Sequence, residues 1–133
     1  MADDAWNRLV KLEDGTDDVA AFEYDGMNRR IVAKTDTTGP PDGTLDETRH
    51  FYYSAGWQIL EERVAATSPE TADPDRQMLW GIRYVDELVQ RLWDSDDNGS
   101  LDQTRYFAAD ANFRIVATID TGGAGGAVTE RAA

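Results

Sequence analysis

The chain repeats itself, and that limits what it can fold into. Asp42-Gly43-Thr44-Leu45-Asp46-Glu47-Thr48-Arg49-His50-Phe51 returns 56 residues later as Asn98-Gly99-Ser100-Leu101-Asp102-Gln103-Thr104-Arg105-Tyr106-Phe107. The match runs without a gap through Ala55/Ala111 and Ile59/Ile115, with eight of the eighteen positions from 42 to 59 identical. A gapless repeat means copies of one supersecondary unit, stacked so that neighbours cover one another. The pairing of 42–62 with 98–118 sits inside one module placed at 1–121, followed by a Gly-rich tail, 122–133, that is flexible by composition.

Charge sets the next bound. Thirteen Lys and Arg against 26 Asp and Glu give a net charge of -13. That argues against nucleic acid and against anionic membrane surfaces, which both need a cationic footprint. There is no cysteine, which excludes disulfides and thiolate metal sites. No apolar run approaches the roughly 18 residues of a membrane-spanning helix. Met1-Ala2-Asp3-Asp4-Ala5-Trp6 is acidic and lacks the apolar stretch of a signal peptide. An opening inside a repeat-like segment is what a piece of a longer protein would show.

The local pattern is that of strands. Runs rich in Phe, Tyr, Trp, Ile, Val and Thr alternate with Asp, Asn, Gly and Pro. Strands are expected at Ala21–Tyr24 and Arg30–Thr35, at Thr48–Tyr53 and Gln58–Val64, at Gln77–Val85 and Val89–Trp93, and at Thr104–Ala109 and Arg114–Ile119. Each pair flanks a tight turn. Polar connections lie at Thr35–Glu47, Ser68–Arg76 and Asp94–Asp102, and Pro69 and Pro74 make the middle one a poor candidate for regular structure. The turn Asp or its substitute recurs at 4, 25, 54, 86 and 110, the spacing of a stacked hairpin array.

Tyr24-Asp25-Gly26-Met27-Asn28-Arg29 resembles the Tyr-Asp-x-x-Gly-Arg motif of the RHS/YD-repeat family. Asn28 and Asn7 stand where the motif has Gly, and both residues accept positive φ. Leu79-Trp80-Gly81-Ile82-Arg83-Tyr84-Val85-Asp86 through Asp120-Thr121-Gly122 is similar to the segment before the RHS core signature. The resemblance implies an all-β array of stacked antiparallel hairpins of YD-repeat type, an open, solenoid-like piece of a hollow shell. In many members the shell encloses a toxin; in others it belongs to a surface or adhesion protein, exported or at the cell surface. It also implies that Tyr24, Asp25, Asn28 and Arg29 fix one turn, and Asp110, Asn112 and Arg114 another, with the Tyr packed inward and the Asp closing the turn. The self-cleavage segment of the core and a following toxin domain are missing, so the chain reads as a shell piece or a small stand-alone relative.

Candidate chemistry is sparse. Asp94-Ser95-Asp96-Asp97-Asn98-Gly99-Ser100-Leu101-Asp102 offers oxygens at loop positions 1, 3, 5 and 9 through Asp94, Asp96, Asn98 and Asp102, with Gly at 6. That is three quarters of an EF-hand-type calcium loop, but Arg105 stands at position 12 where a bidentate Glu belongs. The competing reading, an acidic connection whose Asp, Asn and Gly make turns, explains the same residues and is the stronger one. His50 shares its repeat position with Tyr106, as a strand residue would. Glu61-Glu62 lies on a strand and points to opposite faces. Trp6, Trp57, Trp80 and Trp93 would serve a sugar platform or, more simply, cross-strand packing. Arg49 and Arg105, each three residues after an Asp, read as strand-start ion pairs.

The sequence therefore points to a non-enzymatic structural module without a resident cofactor. Its partners would be neighbouring β-repeats, other copies joined through edge strands, or an enclosed polypeptide. The alternative is a calcium-stabilised or glycan-binding β-module.

Overall fold

In the computed structural model, residues 1–39, 41–65, 72–84 and 86–121 are described, with 127–131 described as backbone. The described residues contain strands and turns but no helix. The strands are β1 (Ala2–Asp3), β2 (Leu9–Asp14), β3 (Asp17–Tyr24), β4 (Arg30–Thr35), β5 (Glu47–Tyr53), β6 (Ile59–Val64), β7 (Pro74–Trp80), β8 (Leu88–Trp93), β9 (Gln103–Ala109), β10 (Ile115–Asp120) and β11 (Ala127–Arg131). Hydrogen bonding follows chain order from β1 to β11. The described pairings are all antiparallel. The all-β antiparallel expectation holds, and eight of these strands, β3 to β10, fall where the apolar runs place them.

Four differences have local causes. The hairpin β2–β3 was not expected. Asp14 faces Asp17 across a two-residue loop whose first residue, Gly15, has φ +64°, the position a type II′ turn reserves for glycine. Strand β7 starts at Pro74, inside the expected connection; a strand's first residue is where proline is tolerated. The same strand stops at Trp80 rather than Val85, because the chain bends at 82–84. The sheet also continues past Thr121: Ala127–Arg131 pairs with β10, where a tail was expected. Pro40, 66–71, Val85, 122–126 and 132–133 lie outside the described residues, and with them Pro69 and most of the expected tail.

The chain divides into two compact units. One comprises Met1–Phe51 with Arg63–Ala72, the other Tyr52–Glu62 with Asp73–Ala133. Among the described residues neither shows a deep core. Among the described apolar residues only Ala20 and Val32 are buried. Leu12, Leu60, Leu79, Tyr106, Ile115 and Ile119 remain exposed. Side chains alternate between the two faces of a strand, and in these strands most positions on both faces are half-buried. Cohesion therefore leans on strand ladders, ion pairs and turns rather than on an apolar interior. No described helix is long and apolar enough to cross a membrane.

Candidate functional site

The most organised polar chemistry is in the turns. At Asp25 the backbone forms a three-residue loop: Asn28 N donates to Asp25 O at 3.1 Å, and Asp25 N donates to Arg29 O at 3.0 Å. Asn28 takes φ 64°. This is a type I turn followed by a left-handed residue, a standard three-residue hairpin connection. The register slips beside it, between Glu23 and Tyr24, as a bulge of this kind requires. Asp25 locks it. Its Oδ1 accepts from Met27 N (2.8 Å) and Arg29 N (2.9 Å), and its Oδ2 accepts from Arg29 Nε (2.7 Å).

The same scheme recurs. Asp4 Oδ1 accepts from Trp6 N and Arg8 N, and its Oδ2 from Arg8 Nε, with Asn7 at φ 59°. Asp110 accepts from Asn112 N, Arg114 N and Arg114 Nε, with Phe113 at φ 60°. At Ser54 a hydroxyl stands in for the carboxylate. Its Oγ accepts from Gly56 N (3.1 Å) and Gln58 N (3.2 Å) and lies 3.2 Å from Gln58 Oε1, while Trp57 takes φ 71°.

Tyr24 and the first two turns form one cluster. Tyr24 Oη donates to Leu9 O at 2.8 Å. Arg8 leaves its own turn to reach the next, donating through Nη1 to Asn28 Oδ1 at 3.0 Å. Its guanidinium carbon also stands 5.0 Å from the Trp6 ring centre and 4.8 Å from that of Tyr24, within cation–π range. One arginine thereby fastens consecutive turns, a link that spacing alone did not reveal.

One turn expectation needs correction. The last turn keeps the scheme, with Phe113 as its left-handed residue and the amide of Asn112 serving Asp110. Phe113 stacks on Tyr84, centroids 4.7 Å apart and planes at 15°. The expected copy at Asp86 is built differently. Gly81 N donates to Glu87 O, and the buried Glu87 pairs with Arg83, reversing the acid-before-arginine order. Glu87 lies so close to Gly81 that a Cβ there would collide with its side chain.

The two long connections are also copies of each other. Asp94 accepts from Asp96 N, Asn98 N and Gly99 N, and Asp102 from Ser95 N and Oγ. Asp36 accepts from Thr38 N and Asp42 N, and Asp46 from Thr37 N and Oγ1. Gly43 and Gly99 share a left-handed backbone, φ +80° and +84°. Two extra residues in the first loop leave the scheme intact. Asp46 and Asp102 therefore serve Thr37 and Ser95, while Arg49 pairs with Glu47 and Arg105 with Asp120, not with the acids three residues before them. Of the calcium candidates, the Asp94 and Asp102 carboxylates and the Asn98 amide oxygen accept loop hydrogen bonds, the last from Ser100 N; Asp96 contributes its amide to Asp94.

These hydrogen bonds favour the charged carboxylates. The Arg8 side chain holds Asp4 below its ordinary value of 3.8. The amide and side chain of Arg29 do so for Asp25, and those of Arg114 for Asp110. In the long loops the amide of Asp42 lowers Asp36 and that of Thr37 lowers Asp46, while the Ser95 hydroxyl lowers Asp102. At Asp94 burial works the other way, and the amides of Gly99, Asp96 and Asn98 outweigh it.

The remaining candidates have ordinary partners. His50 Nε2 lies 2.9 Å from Ala65 O. Glu61 accepts from Gln77 Nε2, while Glu62 pairs with Arg76, so the two acids engage different partners. Trp80 Nε1 donates to Ile59 O, and Trp6 and Trp57 are largely exposed. No protein-family model matches the chain, and no curated protein matches it in sequence.

Proposed function

We propose that the chain is a non-catalytic structural module, a wall segment of an RHS-like shell or surface scaffold built from YD-type hairpins. The observation that carries this reading is one turn scheme used four times, at Asp4, Asp25, Ser54 and Asp110, by strands whose described apolar side chains are mostly only half-buried or exposed. Precise chemistry has gone into chain geometry, and the faces are left for neighbouring repeats or an enclosed polypeptide to cover. Arg8 supports the same reading, because its contacts tie one turn to the next.

Molar mass by light scattering, with far-UV circular dichroism on the same peak, tests it. A wall segment gives a β-rich chain whose mass rises with salt, as screening of the -13 charge lets edge strands meet. A compact monomer indifferent to salt would instead favour the self-contained calcium or glycan module. Millimolar calcium separates that rival further. The scaffold reading expects an unchanged melting temperature; a rise that Asp96→Ala abolishes would overturn it.

A further inference from the structure

One described arginine has no acid in direct contact. Arg91 on β8 lies directly opposite Met78 on β7 and Arg105 on β9. Like charges placed opposite one another destabilise a strand pair, so each needs an anion nearby. Arg105 has Asp120, at 2.5 and 2.7 Å. Arg76, opposite Trp93 in the same β7–β8 pair, has Asp75 at 3.3 Å and Glu62 at 3.8 Å. Arg91 has no hydrogen bond or ion pair with any described residue, and its Nε is shut off from solvent without a partner. Its guanidinium carbon stands 5.1 Å from the Trp93 ring centre, and that of Arg105 stands 5.6 Å from the same ring. Burial, and then repulsion from Arg105 and Arg76, lower its proton affinity, and attraction to Asp120 and Glu62, neither in direct contact, offsets this only in part. A half-desolvated guanidinium without a directly paired counter-ion is a costly arrangement.

We infer that Arg91, with Trp93 beneath it and Arg105 and Arg76 beside it, forms a binding site for a carboxylate. A planar pair of oxygens matches the terminal nitrogens of a guanidinium. A single negative charge also suits the surroundings better than a phosphate dianion, because Glu62, Asp75 and Asp120 already stand around the arginines and repel a second charge. The site does not depend on the scaffold reading.

Arginine side-chain NMR tests it directly, because a solvent-shielded Nε–Hε group gives an observable signal. The intact chain is titrated with sodium acetate, sodium phosphate and sodium chloride at matched ionic strength. Acetate is expected to shift the Arg91 Hε resonance saturably, phosphate to shift it more weakly at equal concentration, and chloride to leave it in place. Arg91→Lys keeps the charge without the fork. It should weaken acetate binding about tenfold, the loss of one charge-assisted hydrogen bond, read from the Arg105 Hε signal and from acetate-dependent melting. No saturation with acetate, an equal response to chloride, or undiminished affinity in Arg91→Lys would each overturn the site. A tighter response to phosphate than to acetate would overturn its assignment to a singly charged carboxylate.

Discussion

The turns at Asp25 and Ser54 share one backbone path and differ in their chemistry. At Asp25 an ionised carboxylate receives two amides and an arginine, with the left-handed position given to Asn28. At Ser54 a hydroxyl receives the same two amides, Gln58 replaces the arginine, and the left-handed position holds Trp57. Asn accepts that conformation readily, and a bulky residue adopts it only with strain. The path is thus set by the hydrogen-bond register, and the side chains only alter how firmly it is held. The charged turn is expected to be the stronger and to respond to pH, the neutral one to be weaker and indifferent to it.

Exchanging the left-handed residues should have the largest effect on this contrast. Asn28→Val places a β-branched residue at φ 64° and is expected to destabilise the fold by about 1–2 kcal/mol. Trp57→Asn removes the corresponding strain and should stabilise by up to about 1 kcal/mol. Urea melts of both variants measure the difference, and equal effects of the same sign would show that the backbone conformation is not limiting.

Acid provides the next test. Asp4, Asp25 and Asp110 have folded-state values below the ordinary 3.8, so the unfolded chain takes up protons first as pH falls. Their contribution is complete above about pH 4 to 5 and drains away as pH drops through the lowered folded values. Asp25→Ser with Arg29→Gln, which copies the third turn, should be less stable than the parent at pH 7 and should lose less stability between pH 5 and 2. Parallel slopes in that range would mean that the carboxylate's hydrogen bonds contribute nothing to folding.

The smallest effect is expected from the reverse exchange. Ser54→Asp with Gln58→Arg should raise stability by about 0–1 kcal/mol, a gain that salt reduces. A gain unaffected by salt would point to packing instead of charge.

The strands around these turns were legible because aromatic and β-branched runs are punctuated by Asp, Asn and Gly. The β2–β3 hairpin was legible too, in principle: Gly15-Thr16 between Leu9–Leu12 and Val19–Phe22 is a glycine-first hairpin signal. The acidic residues around it interrupt the apolar alternation and mask that signal. The left-handed positions of the later turns were hidden for a different reason. Gly56 and Asn112 are the residues that favour such a backbone, yet each falls one place early, and the bonds to Ser54 and Asp110 decide the register instead. Four loop oxygens spaced like cation ligands also left open what they bind. Spacing cannot distinguish an oxygen aimed at a metal from one aimed at the amide two residues on. The Arg91 cluster depends on cross-strand register between β7, β8 and β9, which no local pattern encodes.

The shallow burial around Ala20 and Val32 also has a calorimetric meaning. The heat-capacity change of unfolding comes mainly from apolar surface newly met by water, and ordinary domains show about 12–15 cal/mol/K per residue. Strands whose described apolar side chains are only half-buried have less of that surface left to expose. The chain's increment should fall below that range, its curve of stability against temperature should be unusually flat, and cooling should weaken it less than it weakens a domain with a dry interior.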